Sequence, residues 1–354
     1  MDHAVIDGEW HSAESGADIR EYISDDEMRE NEKAGYLAGP EEWGPIQWDG
    51  WDRSAGGRTE INIHSPDITD AEDVDPVREQ LGIDTVVFSP GQFRMTTIPA
   101  QDKQVMYMRA FNDLTVDRFA RGDGTYYAKL YVFGDHPEES AEEIERHGDK
   151  DGVVGAMITD VGPTFPMGHK SYEPIYEAAE KHDLPIILHS TTGIVPGFPI
   201  AGMQPKNFAE FHTLGHTIPK MWHANSLILR GIVEKYDVDF GFWEGGLSWI
   251  PALGERLDRE YLERSSEFAE LSQLPSEYLS EFYYGTQPLP EEATKMVDVV
   301  DLIERADLED QVLYCSDRPH QDFDAPAAVD NVEGLTDAQK RKIFEENARE
   351  LFGI

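Results

Sequence analysis

Eight short apolar runs rich in β-formers recur along the chain: AVIDGE, DTVVFSP, YAKLYVF, VVGAMITD, LPIILHS, VDFGFWE, FYYGTQP and QVLYCSD. Their apolar residues are continuous rather than alternating. Strands buried on both faces have this character, and such strands belong to parallel sheets. Helix-length amphipathic segments separate most of the runs, among them DKQVMYMRAFNDLTVDRFARG, HPEESAEEIERHG, SYEPIYEAAEKHD and NSLILRGIVEKYD. Several stop at a helix-ending signal, such as Gly148 or the His182-Asp183 pair. Strand and helix alternating in this way over 354 residues predict an α/β protein. A count of eight favours a closed (β/α)8 TIM barrel over an open sheet, with FYYGTQP the weakest of the eight.

The expected organisation is one domain over residues 1–354, with three stretches beyond what a minimal barrel needs. Residues 12–75 follow strand 1 and carry Trp43, Trp48 and Trp51, which suit either a satellite core or an aromatic wall of a pocket. Residues 193–225 follow strand 5 and hold Gly193, Pro196, Gly197, Pro199 and three histidines. Both stretches leave from strand C-terminal ends, so both are expected to cover the mouth where a barrel binds its substrate. Residues 259–282 read as a helical arm, a surface compatible with a homodimer.

Composition narrows the partners. Seventy acidic residues against thirty basic give a formal charge of −40, which repels nucleic acid phosphates and anionic membranes alike. The acid is spread along the whole chain, as on a solvated surface adapted to concentrated salt. At molar ionic strength the Debye length is about 3 Å and self-repulsion is screened. Cys315 is the single cysteine, so no intrachain disulfide can form and a reducing cytoplasm is the expected compartment. MDHAVIDGEW has no signal-peptide character, and no apolar stretch approaches the roughly 20 residues of a membrane span.

Three of the apolar runs end on metal-ligand types: Glu9 and His11, His189, and Asp317. One residue separates Glu9 from His11, so on a strand both point to the same side and Trp10 points to the other. Asp7 shares that alternation, as an acceptor behind a ligating histidine or in a helix-facing or loop role. Taken singly, His189 also reads as a hydrogen-bonded core histidine, and Asp317 as a turn or cap aspartate. Together they gain weight, because strands 1 and 8 are neighbours in a closed barrel. Two imidazoles and two carboxylates suit one divalent ion of intermediate hardness, zinc or manganese.

These residues carry a resemblance that spans nearly the whole chain. It rests on Asp7-Gly8-Glu9-Trp10-His11, Leu184-Pro-Ile-Ile-Leu-His189, Gly231-Ile-Val-Glu-Lys-Tyr236, Trp249-Ile-Pro251 with Arg256-Leu-Asp258, Pro275-Ser-Glu-Tyr278 and Ser316-Asp-Arg-Pro-His320. In order and spacing the chain resembles the second amidohydrolase-related family, which includes aminocarboxymuconate-semialdehyde and resorcylate-type decarboxylases. The resemblance implies a metal-dependent TIM barrel with Glu9, His11, His189 and Asp317 as ligands, and His320 as a residue behind them or in the scaffold. The sequence departs from the family after strand 6. There decarboxylase members carry His-x-Gly-Glu, whereas this chain places Glu244 at the histidine position and Leu247 at the glutamate position. A buried carboxylate can serve as acid or base in place of that histidine. Of His212, His216 and His223 in the excursion after strand 5, His223 is the first choice to swing over the metal; the alternative is three exposed loop histidines.

The implied activity is a carboxy-lyase acting on a small aromatic or unsaturated carboxylic acid, with the metal chelating the carboxylate and an adjacent oxygen. The alternative is hydrolysis of a lactone, amide or related carbonyl compound, with Asp317 or Glu244 as the base. A metal-binding barrel without catalysis is the third reading.

Overall fold

The computed structural model describes residues 3–14, 16–32, 68–91, 95–96, 98, 100–160, 163–190, 208–289, 298–320 and 323–354. Trp43, Trp48 and Trp51 lie outside the described residues, as do most of 12–75 and the first part of 193–225.

All eight expected strands form. They are β1 (Ile6–His11), β2 (Thr85–Ser89), β3 (Tyr126–Tyr131), β4 (Val153–Thr159), β5 (Ile186–His189), β6 (Phe240–Phe242), β7 (Tyr283–Gly285) and β8 (Val312–Leu313). They pair in parallel, each with the next in sequence. The sheet then meets itself. Gly8 N donates to Tyr314 O at 2.9 Å, Asp317 N to Glu9 O at 3.1 Å, and His11 N to Arg318 O at 2.5 Å, drawing β1 against the chain that continues β8. Asp7 supports this seam through one carboxylate oxygen, which accepts from Glu9 N at 3.0 Å and from Ser316 N at 2.9 Å. It braces backbone, and among the described residues its hydrogen bonds go to neither His11 nor His189.

Nearly every strand residue is buried, Tyr127 being half-buried, as the continuous apolar runs require of strands covered inside and out. Between β1 and β2 the register slips from Asp7–Val86 to Trp10–Phe88, leaving one extra residue on β1 just before the metal-ligand pair. Bulges of this kind re-aim side chains near functional sites. Trp10 turns into the barrel–helix layer, where the buried Arg318 guanidinium lies 5.4 Å from its ring.

The helices that follow Pro137 and Glu173 end at His147 and Lys181, at the stop signals Gly148 and His182-Asp183. Two expected helices differ from their sequence outline. NSLILRGIVEKYD is broken into Ile218–Leu229 and Ile232–Lys235 because Gly231 takes φ +71°, a left-handed conformation open to glycine at little cost. The 259–282 arm is folded back rather than projecting. Ala269 N bonds Leu229 O at 2.9 Å, and the Asp258 carboxylate takes Ser276 N at 2.8 Å and Ser276 Oγ at 2.7 Å. Among the described residues no helix is long and apolar enough to cross a membrane.

Candidate metal centre

The C-terminal ends of β1, β5, β6 and β8 bring six metal-ligand side chains to one place. Glu9, His11, His189 and Glu244 form one group and His11, Glu244, Asp317 and His320 a second, with the ligand atoms of each group within 4.8 Å of one another. All are buried except His320, which is partly exposed. The four residues singled out on strands 1, 5 and 8 therefore meet, and Glu244 and His320 join them.

The protonation pattern is set by carbonyl groups behind the rings. His11 Nδ1 lies 3.1 Å from Pro90 O and His189 Nδ1 2.5 Å from Ser190 O. A carbonyl only accepts, so each ring carries its proton on Nδ1 and turns a lone pair at Nε2 inward. Burial pushes His11 down to about 4, with the charge of His320 adding to the shift. Burial likewise holds His189 well below the ordinary histidine value. Both rings are neutral at pH 7.

The two Nε2 atoms face each other at 3.2 Å. His189 Nε2 is 2.9 Å from Glu9 Oε1 and 3.4 Å from Glu244 Oε1, and His11 Nε2 is 3.1 Å from Asp317 Oδ1. Among the described residues neither Glu9 oxygen accepts a hydrogen bond, although the residue is fully buried. Lone pairs and carboxylate oxygens converging in a buried space repel one another until a cation lies among them. The donor set fits a divalent ion that accepts nitrogen and oxygen, zinc or manganese.

Carboxyl pKa values diverge around this point. Burial, then the neighbouring Asp317 charge, pushes Glu9 up to about 8. Burial also pushes Asp317 up, but His320, whose Nδ1 donates to Asp317 Oδ1 at 2.6 Å, outweighs it and holds that carboxyl well below the usual range. A divalent charge would pull Glu9 down as well. Glu244 and Asp317 have φ of +60° and +63°, a region that non-glycine residues rarely adopt. Glu244 Oε1 stands 3.8 Å from His320 Nδ1, so it faces both histidine sides of the cluster.

The structure does not bring His223 to this place. Its Nδ1 accepts from Met167 N at 3.1 Å and its Nε2 donates to Asp160 O at 2.7 Å, which pins the ring beside the end of β4. His216, one turn before Lys220, is buried, its ring 4.2 Å from that of His212. Burial, His212 and Lys220 hold it well below its usual pKa, and the charges of Asp317 and His189 also reach it. Leu247 is buried and apolar where the family's glutamate would stand.

One group escaped sequence reasoning altogether. Lys220 Nζ, fully buried, lies 2.9 Å from Asp160 Oδ2 and also donates to Ser190 Oγ. Asp160 and Ser190 each directly follow a strand, β4 and β5, and strand ends were the available signal. Lys220 itself had none, being inside the long excursion.

Comparisons with known proteins agree with the fold. The chain is similar to a gamma-resorcylate decarboxylase of Rhizobium sp. (strain MTP-10005), 23% identical with 77% of this chain and 84% of that protein covered. Among solved structures, an amidohydrolase of Mycobacterium avium subsp. paratuberculosis K-10 superposes with a TM-score of 0.75 at 16% identity, with 100% of each chain covered. A 5-carboxyvanillate decarboxylase of Novosphingobium aromaticivorans, solved with manganese and a methoxy-hydroxy-nitrobenzoic acid, superposes with a TM-score of 0.71 at 19% identity, covering 100% of this chain and 98% of that one. The family model described as Amidohydrolase matches residues 59–354. Glu9 and His11 precede that span, and it is the closed seam that carries them into the site. With well over half of its length matched by that model, the chain belongs to the amidohydrolase family.

Proposed function

We propose that the protein is a divalent-metal-dependent carboxy-lyase that removes carbon dioxide from a small aromatic carboxylic acid. The observation that carries this reading is the inward convergence of the His11 and His189 lone pairs on the unbonded oxygens of buried Glu9. The decarboxylase relatives, which cover most of the chain, support it.

Glu9, His11, His189 and Asp317 hold the ion, with Glu244 in reach of the same point. When bound, the ion supplies a Lewis acid that orients a carboxylate with a neighbouring oxygen and draws off charge. The chain's own residues do the rest. Pro90 and Ser190 fix the tautomer and aim of the two imidazoles, which burial keeps neutral. His320 keeps Asp317 ionised. Glu244 carries the proton, delivering it to the ring carbon that bears the carboxylate. The bond from that carbon to the carboxyl group then breaks, its electron pair returns to the ring, and carbon dioxide leaves.

The test is carbon dioxide release from hydroxybenzoates by manganese-loaded protein, with Glu9→Ala as the control expected to lose both ion and turnover. A loaded protein that binds these acids yet releases no carbon dioxide sinks the reading. Hydrolysis is the second reading, favoured by one observation: a carboxylate, Glu244, stands at the end of β6 where it can take a proton from water attacking a carbonyl. Turnover of lactones or amides in the same preparation would select it.

A further inference from the structure

The helix 218–229 is fastened over the ends of β4 and β5 by its buried face. His223 bonds Asp160 O and Met167 N, and Ser226 Oγ accepts from Gly168 N at 3.1 Å. One turn earlier Lys220 completes a buried trio: its Nζ serves Asp160 Oδ2 and Ser190 Oγ, and Ser190 Oγ donates to the same Asp160 Oδ2 at 3.3 Å. Ser190 directly follows His189. The stem of Lys220 lies against Gly245, where a Cβ would stand 2.5 Å from Lys220 Cδ. The trio therefore sits between the residue just past His189 and the residue just past Glu244, two clustered groups 3.4 Å apart.

The hydrogen bonds of the trio are out of balance. Asp160 directs Oδ2 at both partners, while its Oδ1 is buried with no hydrogen-bond partner among the described residues. An ammonium has three N–H donors, and among the described residues Asp160 and Ser190 take two. A spare donor and an orphaned acceptor on adjacent side chains match one hydroxyl group, which accepts from the first and donates to the second. A hydrophobic group in the same place would leave both unpaired.

We propose that Lys220 and Asp160 read a ring hydroxyl of the substrate, one not directed at the ion, and so confine the enzyme to aromatic acids that carry it. The inference rests on the carboxy-lyase reading and names the feature of the substrate that this site selects. Sites that hydrogen-bond a substrate hydroxyl discriminate strongly against the analogue lacking it, because buried polar groups are then left without partners.

The experiment measures dissociation constants by calorimetry on manganese-loaded protein for 2,6-dihydroxybenzoate and 2-hydroxybenzoate, with carbon dioxide release followed in parallel. The native protein is expected to bind the dihydroxy acid at least about 100-fold more tightly. Lys220→Met removes the donor. Asp160→Asn keeps an oxygen for Lys220 and turns an NH2 toward the hydroxyl. Each is expected to bring the ratio within about 10-fold while leaving affinity for the monohydroxy acid nearly unchanged. A purely structural role would weaken both acids together and leave the ratio at its native value, which overturns the proposal, as does a native protein with no preference. If Lys220→Met does not fold, Asp160→Asn and the native ratio still decide. Binding and carbon dioxide release with an unaltered ratio defeat this inference alone. A native protein that binds neither acid and releases no carbon dioxide defeats the carboxy-lyase reading, and this inference falls with it.

Discussion

Glu244 holds φ +60°, and residues kept in the left-handed region cost on the order of 1–3 kcal/mol each. The strain aims its carboxylate across the cluster at His189 and His320. Glu244→Gln keeps the shape and removes the titratable group. Turnover is expected to fall by about 100-fold or more, the usual worth of a positioned acid–base group, while bound metal measured by elemental analysis stays at the native level. Wild-type-like turnover would remove Glu244 from proton transfer.

Buried acids give the ion-free protein a pH signature. Burial raises Asp7 to about 7, Glu9 to about 8 and Glu14 to about 7. The folded form therefore keeps protons that the unfolded chain has released, and the stabilisation they lend is lost as pH rises through those values. Buried His11, His189, His216 and His223 act the other way, but only below the unfolded histidine value of about 6.5, where the unfolded chain takes up protons that they refuse. Above that point the acids lead, until buried Lys129, lowered to about 8, begins to act the other way. The melting temperature of ion-free protein is expected to fall between about pH 6.5 and about pH 8, and manganese should recover the share due to Glu9. A rise through that window contradicts the assignment.

Helix 218–229 shows what local patterning conveys and what it omits. Its apolar residues announced a helix, but periodicity alone ran on through Gly231, whose positive φ ends the segment. Glu9, His11, His189 and Asp317 were legible because each closes an apolar run, with Glu9 and His11 on one face by simple alternation. Glu244 and His320 were reached only through the family resemblance, at the departure after strand 6 and three residues beyond Asp317. Lys220 was not, since its partners lie 30 and 60 residues away on other elements. His223 drew attention for its place before an apolar helix, yet it belongs to the buried face that grips β4. Its part is mechanical: His223→Ala leaves Met167 N–H and Asp160 C=O without their partner, at about 1–3 kcal/mol of stability. Denaturant unfolding should register that loss, with metal content unchanged.

Across the whole molecule, thirty basic residues cannot offset seventy acidic ones. Many of the described arginines and lysines are already engaged in surface pairs, such as Arg109 with Glu142 and Lys235 with Glu173. The remaining acid repels itself over a range that salt shortens from about 30 Å at 0.01 M to about 3 Å at 1 M. The melting temperature is expected to drop on dialysis from molar to millimolar salt, and an unchanged value would discard the reading of a salt-adapted surface. The fold itself was legible at this scale because the strand count and the crossover helices leave little but a barrel. The structure of the polar stretches 12–75 and 193–225 was not legible, because they carry little periodicity to follow.

The seam between β1 and the chain after β8 also sets an order of events. His11 and Asp317, which meet across it, are 306 positions apart. On a growing chain Glu9 and His11 therefore exist long before Asp317. An ion held from both sides of the seam would lock a ring that has closed, so metal shortage during growth is expected to leave folded, empty protein rather than unfolded chain.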